Sequence, residues 1–214
     1  MNKVPNIKEE KKLWEKGYKK IAGVDESGCG SWAGPLAAAA VILPPFFRLY
    51  KIRDCKLLNK KQREYLYEKI KREALAISLS FVEVSEINKL GIRQASILAM
   101  KKALNKLKIK PEFILVDAFK LNISLPQKAI VKGDMISLSI ACASIVAKVE
   151  RDRIMEKMHQ RYPFYFFNQH KGYGTILHQK MLKKYGPCKI HRRNFTPIKK
   201  IIDKDKSKYT KIKK

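Results

Sequence analysis

Acidic residues stand at the ends of three apolar runs that we predict to be β-strands. Asp25 and Glu26 follow the run IAGV. Asp117 ends FILVD, and Asp134 ends KAIVKGD. Carboxylates gathered at one edge of a sheet raise one another's pKa unless cations lie between them, and Mg²⁺ or Mn²⁺ is the hard cation that suits an all-oxygen ligand set. Two such ions roughly 4 Å apart can activate a water and stabilise the leaving oxygen of a phosphodiester, so the pattern makes this chain a candidate nuclease.

Two glycines follow the first acidic pair, in the stretch IAGVDESGCG. Because Gly28 and Gly30 have no Cβ, another backbone can approach them closely, which suits a nucleic-acid strand. Side chains alternate along a strand, so we expect Asp25 to project into the site and Glu26 to act partly from its flank. Taken alone, this pair of acids fits a solvated turn at least as well, and so does any single acid at a strand end.

The overall charge indicates the class of partner. The chain has 214 residues, a net charge of +28 and a pI near 10, although part of this charge reflects a general excess of Lys over Arg. A field of this sign attracts polyanions, and nucleic acid is the first candidate. A membrane surface is the alternative polyanion, but no apolar run approaches the length of a membrane span or of a secretory leader. We therefore expect a cytoplasmic protein that binds nucleic acid, without membrane contact and as a monomer.

Hydrophobic periodicity predicts one sizeable domain of alternating strands and helices. The strands are expected at 19–27, 36–43, 75–82, 113–117 and 128–134. The helices are expected at 61–72, at 86–107 and from about 136 onwards. Residues 1–18 form a charged lead-in, and the Lys-rich segment 199–214 is expected to be disordered.

The cysteines do not indicate a structural metal. Cys29, Cys55, Cys142 and Cys188 are scattered along the chain, with no CxxC pair and no histidine at zinc-finger spacing. In a cytosolic protein such residues are most simply free thiols.

Together, a series of motifs in fixed order resembles ribonuclease HII. The motifs are GVDESGCGSWAGP, AAAAVILP, DCK, VDA, KGDMISLSIACASIVAKVERDR, HKGYGT and HRRNF. They extend from about residue 13 to 198, and the KGD motif with the helix that follows it is the most specific of them. The resemblance implies an α/β ribonuclease H-like fold: a mixed five-stranded sheet flanked by helices, with a small C-terminal helical extension. It also places the catalytic domain, with its C-terminal substrate-recognition segment, at 19–198.

The same resemblance implies an activity and its metal ligands. The expected reaction is endonucleolytic cleavage of the RNA strand of RNA–DNA hybrids and incision 5′ of single ribonucleotides in duplex DNA. It should leave 3′-hydroxyl and 5′-phosphate ends and use a two-metal site for Mn²⁺ or Mg²⁺. By position, the metal-binding acids of that family correspond to Asp25, Glu26, Asp117 and Asp134.

Further residues are expected to bind the substrate. Tyr173, in KGYGT, matches a tyrosine that contacts the ribonucleotide 2′-hydroxyl, the group that distinguishes RNA from DNA. Its flanking glycines are expected to leave the ring exposed. Lys56, Ser144 and Lys171 are expected to contact backbone phosphates, which sets register without reading sequence.

Other polar residues have simpler explanations. Asp152 is a tempting fifth acid, but it lies within a predicted helix between two arginines, and we interpret it as a salt-bridge or packing residue. His170, His178 and His191 could be general bases or ligands. Since a metal can activate the water, we prefer structural or phosphate-neighbouring roles for all three.

The chain departs from the family pattern at two places. The family normally has GRG where this chain has Gly28-Cys29-Gly30, preceded by Ser27 where Ala is usual, and its DSK is DCK here, with Cys55. The glycines should still admit the scissile region. Without the arginine charge, we expect weaker binding to a junction between DNA and a ribonucleotide.

Two alternatives remain open. One is a hybrid-directed nuclease of the ribonuclease HIII type, with weakened junction specificity; that family carries a long N-terminal domain, whereas only 24 residues precede Asp25 here. The other is a noncatalytic basic protein that binds hybrids. Retention of all four acids disfavours a pure binder, because carboxylates at a phosphate-binding surface would weaken binding.

Overall fold

The computed structural model describes residues 4–49, 52 and 58–211. Lys56 and Cys55 therefore lie outside the described residues. The strands are β1 (Ile21–Ser27), β2 (Leu36–Ile42), β3 (Ala76–Val82), β4 (Phe113–Asp117) and β5 (Gln127–Ile130). The helices are α1 (Lys8–Glu15), α2 (Lys60–Glu73), α3 (Val84–Leu90), α4 (Ile92–Asn105), α5 (Leu138–Arg161), α6 (Phe167–His170), α7 (Ile176–Tyr185) and α8 (Thr196–Lys211).

The strands form one mixed sheet in the order β3-β2-β1-β4-β5. β1 pairs with β2 antiparallel and with β4 parallel, and β4 pairs with β5 parallel. The predicted mixed five-stranded sheet with flanking helices is thereby confirmed. β1 and β4 are neighbours that run in the same direction, so their carboxyl ends meet at the same edge of the sheet.

The chain divides into two compact units by the density of its contacts. The first unit comprises Met1–Ser27, Ala37–Phe81 and Ser96–Glu150. The second unit comprises Gly28–Leu36, Val82–Ala95 and Arg151–Lys214. No helix in the described part of the chain is long and apolar enough to cross a membrane.

In the first unit, the start of α5 packs directly on β1. A Cβ at Gly23 would lie 2.1 Å from the carbonyl carbon of Ser139, a distance that no side chain tolerates, so only glycine permits this approach. Helix α1 secures the same end of α5, because the buried carboxylate of Glu10 accepts hydrogen bonds from the Ser137 hydroxyl, at 2.6 Å, and from the backbone N–H of Ser139, at 2.9 Å. An acidic group at a helix N-terminus satisfies free N–H groups and complements the helix dipole.

Helix α4 covers the alternate side chains of β3. The buried hydroxyls of Ser78 and Ser80 donate to the carbonyl oxygens of Ala103 and Ala99, each at 2.6 Å. This explains the alternation of apolar and small polar residues in that strand, because its serines bind the backbone of the covering helix and leave no unpaired buried hydroxyl.

The structure differs from the sequence predictions in three segments. The helix expected at 86–107 is two helices, α3 and α4, separated by Gly91 at φ +77°. The strand expected at 128–134 ends at Ile130, and a short 3₁₀ turn, Gly133–Met135, follows it. Much of the segment expected to be disordered lies in α8, whose first turns contain the buried Ile198 and two further isoleucines at helical spacing.

Candidate active site

Asp25 and Asp117 lie side by side because of the strand register. Val24 of β1 pairs with Val116 of β4, and the two aspartates are the next residues on these parallel neighbours. Asp25 also shares its face of β1 with Gly23, two residues earlier, where α5 approaches most closely. The fold therefore places these two carboxylates at one sheet edge, on the side that α5 covers.

The Asp25 carboxyl is buried among other acids. Burial raises its pKa well above the ordinary value, and the neighbouring charges of Glu26 and Asp117 raise it further. Two hydrogen bonds lower the pKa in part: one from the Ser144 side chain and one from the backbone N–H of Glu26, at 2.7 Å. Asp25 is thus a carboxylate whose charge the protein only partly compensates.

Asp134 lies on a tight turn that Asp117 holds in place. The backbone N–H of Gly133 donates to Oδ1 of Asp117 at 2.7 Å. Lys132, just before it, has a left-handed backbone with φ +56°, and Asp134 itself is buried. The third acidic motif therefore reaches the sheet edge through a 3₁₀ turn rather than through a strand end.

These acids suit a divalent metal by their chemistry. Every predicted ligand supplies carboxylate oxygen, which hard cations such as Mg²⁺ and Mn²⁺ prefer, and a cation between Asp25 and its neighbours would relieve the repulsion that raises its pKa. Across the ranges that the structure describes, no three His, Cys, Asp or Glu side chains have the arrangement of a complete metal site. The fit rests on donor type and on the coupling of the carboxylates.

In the second unit, Arg192 binds the glycine-containing segment 28–35 entirely through backbone carbonyls. Its guanidinium donates to the carbonyl oxygens of Gly28 at 2.7 Å and Cys29 at 3.1 Å. It also donates to those of Gly34 at 3.1 Å and Pro35 at 3.3 Å. Burial, and then the neighbouring charge of another arginine, lower the pKa of Arg192 to about 9. The planar fork of arginine allows one buried side chain to bind four acceptors.

Arg151 connects this segment to the loop that carries Tyr173. It donates to the carbonyl oxygens of Pro35 at 2.9 Å, Ala33 at 3.2 Å and Lys171 at 3.0 Å, and its guanidinium carbon lies 5.5 Å from the centre of the Tyr173 ring. A Cβ at Gly28, where φ is +101°, would lie 2.1 Å from Nε of Arg151. The arginine therefore requires glycine at that position.

Comparisons with known proteins show the family of this chain. The family model described as "Ribonuclease HII" matches residues 22–198. The chain belongs to the ribonuclease HII family. The ribonuclease HII of Dehalococcoides mccartyi is 47% identical over 203 residues, which are 93% of this chain and 96% of that protein. The ribonuclease HII of Syntrophus aciditrophicus is 50% identical over 187 residues, or 87% of this chain and 88% of that protein.

A solved structure supports the fold independently. The crystal structure of ribonuclease H2 from Pyrococcus horikoshii OT3 matches with a TM-score of 0.73 and 29% identity, over 86% of this chain and 98% of that one. Membership of the ribonuclease HII family makes the chain a hydrolase that cuts the RNA strand of RNA–DNA hybrids. Incision at single ribonucleotides in DNA and dependence on divalent metals are typical of the family.

Two residues predicted to bind phosphate have protein partners in the structure. Ser144 is buried, and its side chain bonds Asp25. The Lys171 ammonium donates to Oε1 of Glu156 at 3.0 Å and to the carbonyl oxygen of Asn168 at 2.7 Å. Both residues thus have structural partners already, and their contact with phosphate stays a prediction.

The remaining predicted residues lie where contact with a substrate is feasible. Tyr173 and Cys29 are half-buried, and Gly30 is exposed with open space around its Cα. Asp152 is buried beside Arg151, whose positive charge it favours. This agrees with the packing or salt-bridge role that we expected for it.

Sequence reasoning missed the two buried arginines and the bond between Ser144 and Asp25. One signal could have found the arginines: they stand in the motifs AKVERDR and HRRNF of a chain that otherwise strongly prefers Lys. A position that keeps Arg against such a bias often needs its planar fork. Nothing in the sequence indicated which serine of α5 would meet Asp25.

Proposed function

We propose that Asp25, Glu26, Asp117 and Asp134 hold two divalent ions, Mn²⁺ or Mg²⁺, at the carboxyl end of β1 and β4. The observation that carries this proposal is the adjacent placement of Asp25 and Asp117, with the raised pKa of the buried Asp25 that results. A protein that only bound phosphates would gain nothing from a buried carboxylate whose pKa is raised by its acidic neighbours. Binding of cations by these carboxylates would explain why the protein places them together despite their mutual repulsion.

Three of the four acids have distinct roles in this site. Asp25 is held deepest, and its hydrogen bond from Ser144 keeps it available as an ionised ligand. Asp117 binds the Gly133 N–H and so fixes the turn of Asp134. When bound, the ions supply the charge that activates an attacking water and stabilises the leaving oxygen. Cleavage breaks the bond between phosphorus and the 3′ oxygen, leaving a 3′-hydroxyl and a 5′-phosphate.

The substrate side of the proposal rests on residues of the second unit together with Lys56. Tyr173 contacts the 2′-hydroxyl of the ribonucleotide 3′ to the cut, and the loop of Gly28, Cys29 and Gly30 approaches the backbone there. Lys56 and Lys171 contact phosphates and set the register. The buried arginines keep these loops in a fixed shape, since they bind backbone atoms on both.

A second candidate function, with a different substrate preference, follows from Cys29. With an uncharged side chain where the family normally has arginine, the protein would cut long RNA–DNA hybrids well and single ribonucleotides less selectively. The two candidate functions differ in the ratio of the cleavage rate at a single embedded ribonucleotide to that of a long RNA–DNA hybrid. We infer in addition that the protein acts in the cytoplasm as a monomer, and that residues 19–198 form its catalytic domain.

The substitution Asp117→Asn tests the metal site. Asparagine can still accept the hydrogen bond from Gly133 but lacks the charge that a cation needs. We expect cleavage of a labelled duplex with one embedded ribonucleotide to be lost, in Mg²⁺ and in Mn²⁺, while binding of the same duplex stays measurable by fluorescence anisotropy.

Asp203→Asn is the matched control, since this aspartate lies in α8, outside the motifs. It should cleave like the wild type. Cleavage at the wild-type rate by Asp117→Asn would remove Asp117 from the set of metal ligands. Cleavage by the wild type in the presence of chelator would contradict the metal-dependent mechanism as a whole.

A further inference from the structure

Three histidines of the second unit lie buried together, and the proposed hydrolysis uses none of them. His170, His178 and His191 are almost wholly inaccessible to solvent. The rings of His170 and His178 stack with centroids 4.3 Å apart, and those of His178 and His191 are 5.2 Å apart. Burying three titratable rings is costly unless each is neutral and hydrogen-bonded.

Backbone donors fix the proton positions in this cluster. Nδ1 of His191 lies 2.9 Å from the N–H of Cys188, 3.2 Å from its thiol and 3.3 Å from its carbonyl oxygen. Because the N–H contact is the shortest and an N–H can only donate, we infer that this nitrogen carries no proton. A neutral His191 must then have its proton on Nε2, which lies 3.0 Å from Nε2 of His178. His178 accepts there and holds its own proton on Nδ1, which lies 2.9 Å from the carbonyl oxygen of Tyr173. The three bonds form one directed chain.

The third histidine is assigned independently. The N–H of Gly172 donates to Nδ1 of His170 at 3.1 Å, so Nε2 carries the proton and donates to the carbonyl oxygen of Tyr165 at 2.7 Å. Burial lowers the pKa of His178 to about 4 and that of His191 to about 3. Burial also lowers the pKa of His170 below its ordinary value, so all three rings are neutral near pH 7, which the assignment requires.

The directed chain ends on the residue that we expect to recognise the ribonucleotide. The carbonyl oxygen of Tyr173 accepts both from His178 and from the N–H of Thr175, at 2.8 Å. The N–H of Tyr173 donates to the carbonyl oxygen of His170 at 2.9 Å. Both polar backbone groups of Tyr173 are thus occupied, and its backbone cannot rotate without breaking a bond to this cluster.

Other roles for the cluster do not fit its geometry. The ring nitrogens of His178 and His191 bond each other, the backbone or the Cys188 thiol, so neither ring offers a lone pair to a metal ion. Burial raises the pKa of the Cys188 thiol to about 11, and its sulfur lies 3.2 Å from Nδ1 of His191, where the thiol can donate. A general base would need to reach the substrate, and neither of these two rings has any exposed surface.

We propose that His178 and His191 are positioning residues for Tyr173: their directed hydrogen-bond chain holds the Tyr173 backbone so that its ring meets the ribose 2′-hydroxyl. This proposal rests on the recognition role assigned to Tyr173 above. Preorganisation of this kind improves discrimination because the ring need not be ordered when the substrate binds. The chain acts through the Tyr173 carbonyl and makes no contact with the reacting atoms.

Asparagine and glutamine substitutions can test the chain atom by atom. The amide nitrogen of asparagine occupies a position like Nδ1 of histidine, and that of glutamine a position like Nε2. His178→Asn therefore keeps the donor to Tyr173, whereas His178→Gln loses it. The order reverses at the other ring, where His191→Gln keeps the donor to His178 and His191→Asn loses it.

The readout is equilibrium binding in chelator, by fluorescence anisotropy, to two labelled duplexes of one sequence. One duplex contains a single ribonucleotide, and the other is all DNA. We expect His178→Gln and His191→Asn to lower the preference for the ribonucleotide by about threefold to tenfold, the worth of one hydrogen bond. The partner substitution at each position should keep the preference. Melting temperatures establish that all four variants are folded.

A merely structural role would produce a different pattern. The binding preference would then follow the loss of stability, or would not change in any variant, and either result would overturn the proposal. Equal binding of both duplexes by the wild type would overturn it as well, because Tyr173 would not recognise the ribonucleotide.

Nuclear magnetic resonance separates this proposal from the proposed function. Long-range ¹H–¹⁵N spectra of the histidine-labelled protein should show the proton of His178 on Nδ1 and that of His191 on Nε2. The opposite tautomers would overturn the chain even if the wild type cleaves its substrate. Absence of wild-type cleavage with the expected tautomers and binding preference would contradict the nuclease and leave the positioning role supported.

Discussion

Replacing Ser144 with alanine should weaken the metal site without removing any metal ligand. Ser144 is buried, and its side chain donates to the Asp25 carboxylate, which is already disfavoured by burial and by the charges of Glu26 and Asp117. Loss of this bond raises the pKa of Asp25 further, so the carboxylate becomes a poorer ligand at a given pH. The effect should therefore be on the metal concentration that cleavage requires.

Two estimates of the magnitude agree. A hydrogen bond to a charged group is worth about 1.5–3 kcal/mol, which corresponds to a factor of about 10 to 150 in an equilibrium constant. Loss of a hydrogen bond that supports a metal ligand typically costs about 10–100-fold in metal affinity. We therefore expect Ser144→Ala to raise the half-saturating Mn²⁺ or Mg²⁺ concentration about 10–100-fold. Cleavage at saturating metal should largely recover.

Ser80→Ala is the matched control for this experiment. Ser80 is a buried serine of the same unit, and its hydroxyl donates to the carbonyl oxygen of Ala99 instead of to a carboxylate. Ser80→Ala should lose roughly 1 kcal/mol of stability and Ser144→Ala about 1.5–3 kcal/mol, but only Ser144→Ala should change the metal dependence of single-turnover cleavage. An unchanged half-saturating concentration in Ser144→Ala, or an equal increase in Ser80→Ala, would refute the reasoning.

Three further predictions concern Asp25, Cys29 and Arg192. Because folding raises the pKa of Asp25, its contribution to stability is present at low pH and is lost as pH rises through the folded pKa; Asp25→Asn should therefore raise the melting temperature in chelator at pH 7 while abolishing cleavage. Each unit of that pKa shift is worth about 1.4 kcal/mol, and each kcal/mol changes the melting temperature by about 2–4 °C in a chain of this size. A lower melting temperature for Asp25→Asn would contradict the raised pKa of Asp25. Cys29→Arg should increase cleavage at a single ribonucleotide relative to a long hybrid, and an unchanged rate ratio would remove Cys29 from recognition. Arg192→Lys should lower the free energy of urea unfolding by at least about 2 kcal/mol, because one ammonium cannot bind four buried carbonyls, whereas the exposed Arg193→Lys should have little effect.

The sheet was predictable from sequence because its strands have strong local signals. Apolar runs bounded by glycine, proline or charge, together with the apolar–polar alternation of β3, placed every strand to within about two residues except β5, where the run continues past the point at which pairing stops. Gly91 was not recognised as a helix break, because a single glycine within a helical pattern is usually tolerated. The helix α8 was missed because its many lysines obscured the spacing of three isoleucines.

The candidate site was predictable only where its residues lie on regular elements. Asp25 and Asp117 each follow an apolar run, which is a local feature, whereas their adjacency depends on the long-range parallel pairing of β1 with β4. Asp134 was placed on a strand, whereas it lies on a turn fixed by a tertiary hydrogen bond between Asp117 and the Gly133 backbone. The directed histidine chain depends on backbone donors that are close only in the fold, so no sequence pattern could reveal it.

The segment that carries Cys29 is held by its main chain, and this separates its shape from its side chains. Arg192 and Arg151 bind carbonyl oxygens there, which every amino acid possesses. Position 29 can therefore change from a basic to a neutral residue without a new loop conformation having to evolve. Gly28 is the exception, because it has no room for a Cβ. The loop is thus well suited to directed evolution of substrate preference, with variation at 29 and 30 and with glycine kept at 28.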